Sequence, residues 1–300
     1  MPAPDPTPDP QDRWTVTVMT GADPEAAQVG AGRLGAPARA TVRGAGLCVQ
    51  WELEDAGDAQ DLAAQAGRWR TQGLDLVVLP GPPSVRRLLV ADTDSTLIAQ
   101  ECLDELAEAW GVGNRVADIT ARAMAGELDF EAALAERVSM LAGAPVELVS
   151  QVLATRITPA PGAAELVAGV RAAGGRSVLV SGGFTAFSGP VAGLLGTDAH
   201  HANELQVRGG RLTGRVVPPV LGRRAKVERL RAERAAGGLE RSQVVAVGDG
   251  ANDLGMLQEA GLGVALHAKP AVADEVERWT HGARVDHADA RAVLWLQGLG

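Results

Sequence analysis

The chain has 300 residues, of which 46% are hydrophobic, so it can form one large core or two smaller ones. Its net charge is −9 and its pI about 5.1, which argues against nucleic acid as a partner because phosphate backbones are bound by dense Lys and Arg. No apolar run approaches the ~18 residues of a membrane-spanning helix, so no membrane partner is expected.

Residues 1–13 are rich in Pro and Asp and contain neither a basic nor an apolar stretch. They predict a disordered tail rather than a signal peptide. Cys48 and Cys102 are the two cysteines, which predicts a reduced, cytoplasmic protein without a disulfide framework.

Residues 14–85 predict a small ferredoxin-like domain with the element order βαββαβ. Alternating β-branched residues predict strands in RWTVTVMT, in both halves of ARATVRGAGLCVQWELE and in LDLVVLP. Amphipathic stretches between them, PEAAQVGAGRLG and AQDLAAQAGRWRTQG, predict two helices. The Pro-containing stretch GPPSV then predicts a linker.

Residues 86–300 predict an α/β domain with a doubly wound, Rossmann-like parallel sheet. Apolar strands in RRLLVAD, RSVLVSGG, SQVVAVGDG, LGVAL and ARVD alternate with helical patterns, and NELQVRGGRLTGRVV predicts a hairpin turning at Gly209-Gly210. Helical patterns also run from Ser95 to about Thr155. Because this stretch is too long for an ordinary crossover, residues of about 98–156 predict a helical cap inserted after the first strand.

Polar residues cluster where three of these strands end. The clusters are Asp92 with Asp94, Ser181-Gly182-Gly183, and Asp249-Gly250 with Asn252-Asp253. In doubly wound folds ligands bind outside the carboxyl ends of the strands, so the three clusters predict one shared crevice. Each Asp taken singly is as well explained by a helix N-cap or a turn.

The carboxylates of these clusters suit a hard cation such as Mg²⁺, since neither His nor Cys accompanies them. A calcium-binding EF-hand is excluded because Leu97 and Leu103 occupy the Gly and Glu places of a loop starting at Asp92. Phosphate would fit beside the cation, held by Ser181 and the N–H groups after it. Lys226, one of only two lysines, could add a compact positive charge.

These residues resemble the motifs of the haloacid dehalogenase superfamily of phosphohydrolases. The stretch DTDST resembles its first motif, D-x-D-x-T, VLVSGG the second, Lys226 the third and GDGAND the fourth. Within the superfamily, DTDSTLIAQECLDELA, AMAGELDFEAALAERV, SGGFTAF, ANEL and AGLGVALHAKP are similar to the phosphoserine phosphatase family. The likeness covers residues of about 88–290 and implies a haloacid-dehalogenase-like fold.

The resemblance implies a reaction as well as a fold. Asp92 would be the nucleophile that forms an aspartyl-phosphate, and Asp94 would protonate the leaving oxygen and then activate water. The site would hold Mg²⁺ through the Asp92 and Asp249 carboxylates and the Asp94 backbone carbonyl. The phosphoryl group would be held by Ser181, Gly182 and Lys226. Asp253 would not bind the metal directly but would orient its water ligands or Lys226.

The resemblance also implies substrate-binding residues on the cap side. Glu101 would pair an ammonium and Arg137 a carboxylate, with Met124 and Phe130 forming an apolar lid and Gly183 and Asn252 completing the site. Without the resemblance, Glu101 is equally a helix-start acid, Arg137 a solvated side chain, and Met124 and Phe130 cap core. Thr93 departs from the family, in which a bulkier apolar residue is common there.

The implied function is Mg²⁺-dependent hydrolysis of O-phospho-L-serine, a small-molecule substrate, in the last step of L-serine biosynthesis. Two alternatives stay open: a related phosphatase or phosphotransferase acting on another small phosphoester such as phosphohomoserine, and a non-catalytic amino-acid-sensing regulator. The N-terminal domain resembles the ACT domain. It could bind serine, mediate a homodimer or only stabilise the chain.

Overall fold

The computed structural model of the protein describes residues 13–124 and 127–300, and the side chain of Met124 is outside the described part. The predicted tail, apart from Arg13, also lies outside the described residues. Within them, no helix combines the length and the apolar character that crossing a bilayer requires.

Residues 14–80 form a four-stranded antiparallel sheet with the order β2-β3-β1-β4, which confirms the ferredoxin-like arrangement. Its strands are β1 (Trp14–Met19), β2 (Thr41–Arg43), β3 (Cys48–Leu53) and β4 (Asp75–Pro80). Its helices are α1 (Pro24–Arg33), α2 (Ala56–Ala63) and α3 (Ala66–Arg70). One face of the sheet packs under these helices through residues such as Val16, Val18 and Trp69.

The rest of the chain is built on a seven-stranded sheet with the order β11-β10-β9-β5-β6-β7-β8. Its strands are β5 (Leu88–Ala91), β6 (Arg176–Phe184), β7 (Ala199–Arg208), β8 (Arg211–Val217), β9 (Val244–Gly248), β10 (Leu262–Leu266) and β11 (Gly282–Val285). Neighbouring strands are parallel except β8, which pairs antiparallel with β7 through the predicted hairpin. This topology confirms the predicted α/β class.

Helices cover both faces of this sheet. They are α8 (Ala163–Ala172), α9 (Thr185–Leu195), α10 (Arg223–Ala236), α11 (Leu254–Glu259), α12 (Pro270–Glu277) and α13 (Ala292–Trp295). Strand β5 illustrates the two-sided burial, because Leu88 and Val90 belong to one hydrophobic core and Leu89 and Ala91 to the other. A strand buried on both faces reads as a continuous apolar run, which is why its period of two was hidden in the sequence.

In the described residues, four helices lie between β5 and α8, where the helical cap was predicted: α4 (Cys102–Ala109), α5 (Gly113–Met124), α6 (Phe130–Ser139) and α7 (Glu147–Arg156). The prediction of helix from Ser95 is wrong, since the first helix begins at Cys102. The preceding residues form turns in which the Leu97 and Ile98 N–H groups both donate to the Thr93 carbonyl at 3.0 Å. Ile98 then bridges to Pro159, so the chain enters and leaves this region side by side.

The second face of the N-terminal sheet is also buried. Met19, Cys48, Val77 and Leu79 join the same hydrophobic core as Trp295 of α13. The edge strands β4 and β11 lie next to each other, although they belong to different sheets. The N-terminal domain therefore packs directly on the end of the larger sheet.

Candidate active site

Strands β6, β5 and β9 are parallel neighbours, so their carboxyl ends lie at one edge of the sheet. A cavity of about 590 Å³ opens at this edge, below the helices inserted after β5. It is lined by many of the predicted site residues: Asp92, Asp94, Glu101, Phe130, Arg137, Gly182, Gly183, Asp249 and Asn252. Ser181, Lys226 and Asp253 do not line it but contact residues that do.

Asp92 follows β5 directly and is 5% exposed. Its Oδ1 accepts a hydrogen bond from the Thr93 N–H at 2.7 Å, and its Oδ2 lies 2.7 Å from Lys226 Nζ. The carboxylate is therefore held by one neutral and one charged donor, in an orientation fixed from two sides.

Lys226 lies in the first half of α10 and is fully buried between two carboxylates. Its Nζ is 2.6 Å from Asp253 Oδ1 in addition to its contact with Asp92. Burial lowers the pKa of Lys226, but the Asp253 and Asp92 charges outweigh it and hold the pKa above its ordinary value. Asp253 uses its other oxygen to accept from the Gly250 N–H at 3.0 Å, so it anchors both the ammonium and the loop after β9.

Asp94 points away from this pair, towards β6. Its Oδ1 accepts from the Cys102 N–H at 2.9 Å and its Oδ2 from the Ser181 hydroxyl at 3.3 Å. Burial, and then the Glu101 charge, raise the pKa of Asp94 to about 6. A Cβ on Gly183 would lie 2.6 Å from Asp94 Oδ2, so the second glycine after Ser181 makes room for this carboxylate.

Three carboxylates in the described residues lie close enough to hold a metal ion: Asp92, Asp249 and Asp253 each offer one oxygen within 4.8 Å of the others. Burial and the Asp92 charge raise the pKa of Asp249 to about 6, as expected where two carboxylates meet out of water. Their all-oxygen donor set fits a hard divalent cation. The Asp94 side chain is not part of this group, and its two oxygens accept from the Cys102 N–H and the Ser181 hydroxyl instead.

Glu101 and Arg137 line the cavity on the side of the inserted helices. Glu101 Oε1 accepts from the Ser95 hydroxyl at 2.9 Å. Arg137 Nη2 lies 2.6 Å from Asp104 Oδ1, while Arg137 Nε is buried with no hydrogen-bond partner among the described residues. The guanidinium is thus held at one nitrogen, and an N–H donor remains available beside the cavity.

Phe130 begins α6 and is 38% exposed. Its ring lies over Gly182 and Gly222, whose Cβ atoms, if present, would be 3.2 and 3.3 Å from ring carbons. The aromatic side chain therefore spans from the inserted helices to the phosphate-binding turn predicted at Gly182. The Met124 side chain lies outside the described residues, and its predicted place in the lid stays a prediction.

Two residues next to Asp249 were missed by the sequence analysis. The Thr96 hydroxyl donates to Asp249 Oδ1 at 3.1 Å, and Lys269 Nζ lies 3.8 Å from Asp249 Oδ2. Both carried a signal in the sequence, because Thr96 is the last residue of the D-x-D-x-T motif and Lys269 is the second of the two lysines. Together they surround a carboxylate that would otherwise depend on the metal alone.

Asn203 was also missed, although it lies in the quoted stretch ANEL. It is 2% exposed and donates to the Gly182 carbonyl at 2.8 Å, while its Oδ1 accepts from the Leu221 N–H at 2.6 Å. This side chain joins the carboxyl-terminal end of β6, where Gly182 lies, to the segment that leads into α10. Thr93, the departure from the family pattern, buries its hydroxyl without a partner among the described residues.

Comparison with known proteins agrees with this geometry. A family model described as haloacid dehalogenase-like hydrolase matches residues 89–258. The phosphoserine phosphatase of Archaeoglobus fulgidus is 43% identical over 204 residues, which are 67% of this chain and 59% of that protein. That of Streptococcus thermophilus is 47% identical over 188 residues, which are 63% of this chain and 87% of that protein.

A crystal structure of a probable phosphoserine phosphatase from Vibrio cholerae matches with a TM-score of 0.75 at 32% identity. The match covers 96% of this chain and 87% of that chain, so it includes the N-terminal sheet. The chain spans less than two thirds of the length of the Archaeoglobus relative but most of the Streptococcus one. The chain therefore belongs to the haloacid dehalogenase-like hydrolases and, within them, to the phosphoserine phosphatase family.

Proposed function

We propose that the chain hydrolyses O-phospho-L-serine to L-serine and phosphate with the help of Mg²⁺, as the last step of L-serine biosynthesis. One observation carries the proposal. A single cavity has the Asp92–Lys226 contact of 2.7 Å on its sheet side and both Glu101 and Arg137 on its cap side. Phosphoserine carries a phosphate, an ammonium and a carboxylate, and these groups match that distribution of charges.

Asp92 attacks the phosphorus, and the bond from phosphorus to the serine oxygen breaks as an aspartyl-phosphate forms. Its carboxylate is already oriented by the Thr93 N–H and by Lys226. Lys226 stays protonated between Asp92 and Asp253, so its charge is available to stabilise the negative charge that spreads over the phosphoryl oxygens.

Asp94 moves the protons of both half-reactions. The departing serine oxygen takes its proton from Asp94, and the resulting carboxylate then removes a proton from the water that attacks the phosphorus and frees Asp92. A pKa of about 6 suits this double role, because an ordinary Asp would almost never be protonated near neutral pH. The Cys102 N–H and Ser181 hydroxyl hold the carboxylate beside the substrate.

Asp92 and Asp249 would hold Mg²⁺ together with the Asp94 backbone carbonyl. Mg²⁺ would supply positive charge that neutralises the carboxylates and a phosphoryl oxygen at once. Both Asp253 oxygens already accept hydrogen bonds, one from Lys226 and one from the Gly250 N–H. This supports a role in orienting the groups around the metal rather than in binding the metal itself.

Ser181 and Gly182 would hold the remaining phosphoryl oxygens together with Lys226, and Gly183 and Asn252 would complete the substrate site. Asn203 supports this assignment, since it donates to the Gly182 carbonyl and so fixes the orientation of the peptide group at this end of β6. Phe130 would cover the bound phosphoserine from above Gly182, with Met124 beside it, and exclude water from the aspartyl-phosphate.

For the N-terminal domain we propose an ACT-like fold, which the sheet order β2-β3-β1-β4 supports. The cytoplasm is the proposed compartment, and two free, buried cysteines support it because a reducing environment preserves them.

A phosphate-release assay tests the proposed substrate. With Mg²⁺ present, kcat/KM is expected to be highest for O-phospho-L-serine in a panel that also contains phosphohomoserine, phosphothreonine and phosphoethanolamine. The proposal fails if phosphoserine is not hydrolysed, and its substrate assignment fails if phosphohomoserine is preferred.

Magnesium is expected to stabilise the protein more at neutral than at acidic pH. By mass action, a cation at ~100 times its Kd adds about 2.7 kcal/mol to the free energy of unfolding. Asp249 has its pKa raised to about 6, so at lower pH the cation must displace a proton from it. Without metal the opposite trend is expected, since raised carboxyl pKa values make the contribution of Asp94 and Asp249 to stability fall as pH rises from about 4 to about 6.

Thermal unfolding with Mg²⁺ and with EDTA, near pH 7.5 and near pH 5, measures both trends. The metal assignment is contradicted if Mg²⁺ raises the Tm equally at the two pH values, or not at all.

Arg137→Ala is expected to lower kcat/KM for phosphoserine by a factor that corresponds to about 2–5 kcal/mol of lost transition-state stabilisation, the usual effect of removing one partner from a desolvated charge pair. Phosphoethanolamine has the ammonium but lacks the carboxylate, so its kcat/KM should change little. Arg122→Ala is a matched control, because Arg122 is an exposed cap arginine paired with Glu136. Equal losses for the two substrates would mean that Arg137 only supports the cap.

A further inference from the structure

The turn after β10 borders the proposed metal site. The Lys269 N–H donates to the Asp249 carbonyl at 3.0 Å, so the main chain of this turn holds the main chain of a metal ligand. His267 opens the turn with a φ of +46°, a left-handed conformation that non-glycine residues adopt at a cost of about 1 kcal/mol or more. Such a conformation persists only where the surroundings fix it.

His267 is fixed by two hydrogen bonds, one to the last residue of β11 and one to the segment that follows it. Its backbone N–H donates to the Val285 carbonyl at 2.8 Å, and its ring Nε2 lies 2.9 Å from the Ala288 carbonyl oxygen. Because a carbonyl oxygen only accepts, Nε2 carries the proton and donates. The side chain thus ties the strained turn to residues 286–288.

Residues 286–288 are held in turn by the N-terminal domain. Asp75, at the start of β4, accepts backbone hydrogen bonds from Asp286 at 2.9 Å, His287 at 2.9 Å and Ala288 at 2.8 Å. It is 2% exposed, so three donors inside the interface depend on this single carboxylate. Ala288 is the shared residue, since its N–H bonds to Asp75 and its carbonyl to His267.

We propose that Asp75 and His267 are positioning residues that fix Asp249 through one chain of hydrogen bonds, and that the N-terminal domain is thereby a structural part of the metal site. These hydrogen bonds link Asp75 to Ala288 and Ala288 to His267. His267 and Lys269 belong to the same turn, and the Lys269 N–H makes the last hydrogen bond, to the Asp249 carbonyl. The inference rests on the proposed function only for the role of Asp249 as a metal ligand.

The N-terminal domain is packed too closely to act as a freely moving, ligand-sensing domain. The sheet face that a ferredoxin-like domain could offer to a ligand or a second copy is covered by the chain's own α13. A Cβ on Gly21, in the loop between β1 and α1, would lie 2.3 Å from the His287 carbonyl oxygen, so that loop is in close contact as well. The N-terminal domain is therefore held against the larger sheet, and residues 286–288 are the part of this contact that leads to Asp249 through His267.

The test compares Mg²⁺ binding by isothermal titration calorimetry in the full chain and in the variants Asp75→Asn, His267→Asn and the double variant. Asn tolerates the left-handed conformation but is too short to reach the Ala288 carbonyl, so His267→Asn removes the hydrogen bond and spares the backbone. Each single variant is expected to bind Mg²⁺ about three- to tenfold more weakly, the range that one lost hydrogen bond produces. The double variant should bind Mg²⁺ no more weakly than the weaker-binding single variant, since both substitutions break the same chain of hydrogen bonds.

Asp286→Asn is the matched control. Asp286 also joins the domains, through Arg70 at 3.0 Å, but its side chain does not contact the chain of hydrogen bonds. It should lower the Tm without changing Mg²⁺ affinity. If Asp75→Asn disturbs the buried interface, the Mg²⁺ affinity of His267→Asn decides the test, because His267 is exposed and its replacement leaves that interface intact.

Activity assays add a second readout. At saturating Mg²⁺ the KM for phosphoserine should be unchanged in His267→Asn, while the Mg²⁺ concentration for half-maximal rate should rise about three- to tenfold, the same factor as the binding constant. Unchanged Mg²⁺ affinity in a folded His267→Asn, or an equal loss in Asp286→Asn, would overturn the inference. If the wild-type chain bound no Mg²⁺, the proposed function would fail together with it.

Discussion

Asp92→Asn is expected to abolish phosphoserine hydrolysis, with kcat reduced by at least ~1,000-fold, because an amide cannot form the aspartyl-phosphate. The protein should remain folded. Lys226 keeps its contact with Asp253 at 2.6 Å, and the oxygen of the new side-chain amide can still accept from the Thr93 N–H. The measurement is phosphate release at saturating substrate and Mg²⁺, together with thermal unfolding of both proteins.

Asp118→Asn is the matched control for this variant. It makes the same change of charge at an exposed position on α5, away from the cavity. It should hydrolyse phosphoserine as the wild type does. Equal phosphate release by Asp92→Asn and wild type would rule out Asp92 as the nucleophile.

Lys226→Met is expected to lower the free energy of unfolding by about 3–5 kcal/mol, as well as to remove activity. The side chain is fully buried, so its loss leaves the Asp92 and Asp253 carboxylates facing each other without a cation. Methionine preserves most of the volume, and the effect is therefore one of charge. Urea unfolding without metal measures it, and the deficit should shrink on acidification as the carboxylates take up protons.

Lys269→Met provides the control for stability. Lys269 is the other lysine, but its side chain is 59% exposed and 3.8 Å from its carboxylate partner. Its replacement should change the free energy of unfolding by no more than about 0.5 kcal/mol. If the two variants unfolded at the same urea concentration, Lys226 would not be the charge that holds the site together.

The convergence of the three polar clusters could be predicted because it follows from a general rule. Parallel strands place their carboxyl ends at one edge, so Asp92, Ser181 and Asp249 were expected to meet although they are far apart in the sequence. Composition indicated Lys226, because a lysine retained in an arginine-rich chain marks a place where a compact ammonium is required. Local pattern, composition and topology sufficed for these residues.

Contacts between the domains could not be predicted in this way. Asp75 reads as an ordinary acidic residue before the apolar run LVVLP, and nothing in that stretch indicates three donors more than 200 residues later. The prediction of a helix that begins at Ser95 failed for a different reason. The helical pattern was extended back to Ser95 although Ser95 and Thr96 are weak helix formers, and the chain instead forms turns there because it enters and leaves the cap side by side.

The pairing of Arg137 with Asp104 was not predicted either. In the sequence the acidic neighbours of Arg137 suggested a solvated face, but the fold half-buries the side chain and pairs its guanidinium with a residue of another helix. Its position beside the cavity depends on how α4 and α6 pack. Periodicity does not determine such packing, whereas it does determine which side of each helix is apolar.

The most direct test of the account is to trap the covalent intermediate. The chain is mixed with phosphoserine and Mg²⁺, quenched in acid within a single turnover, digested and analysed by mass spectrometry. We predict one added phosphoryl group on the peptide that contains Asp92, and none in the Asp92→Asn protein. Phosphate release without any phosphorylated peptide, or with the phosphoryl group on another residue, would contradict the account.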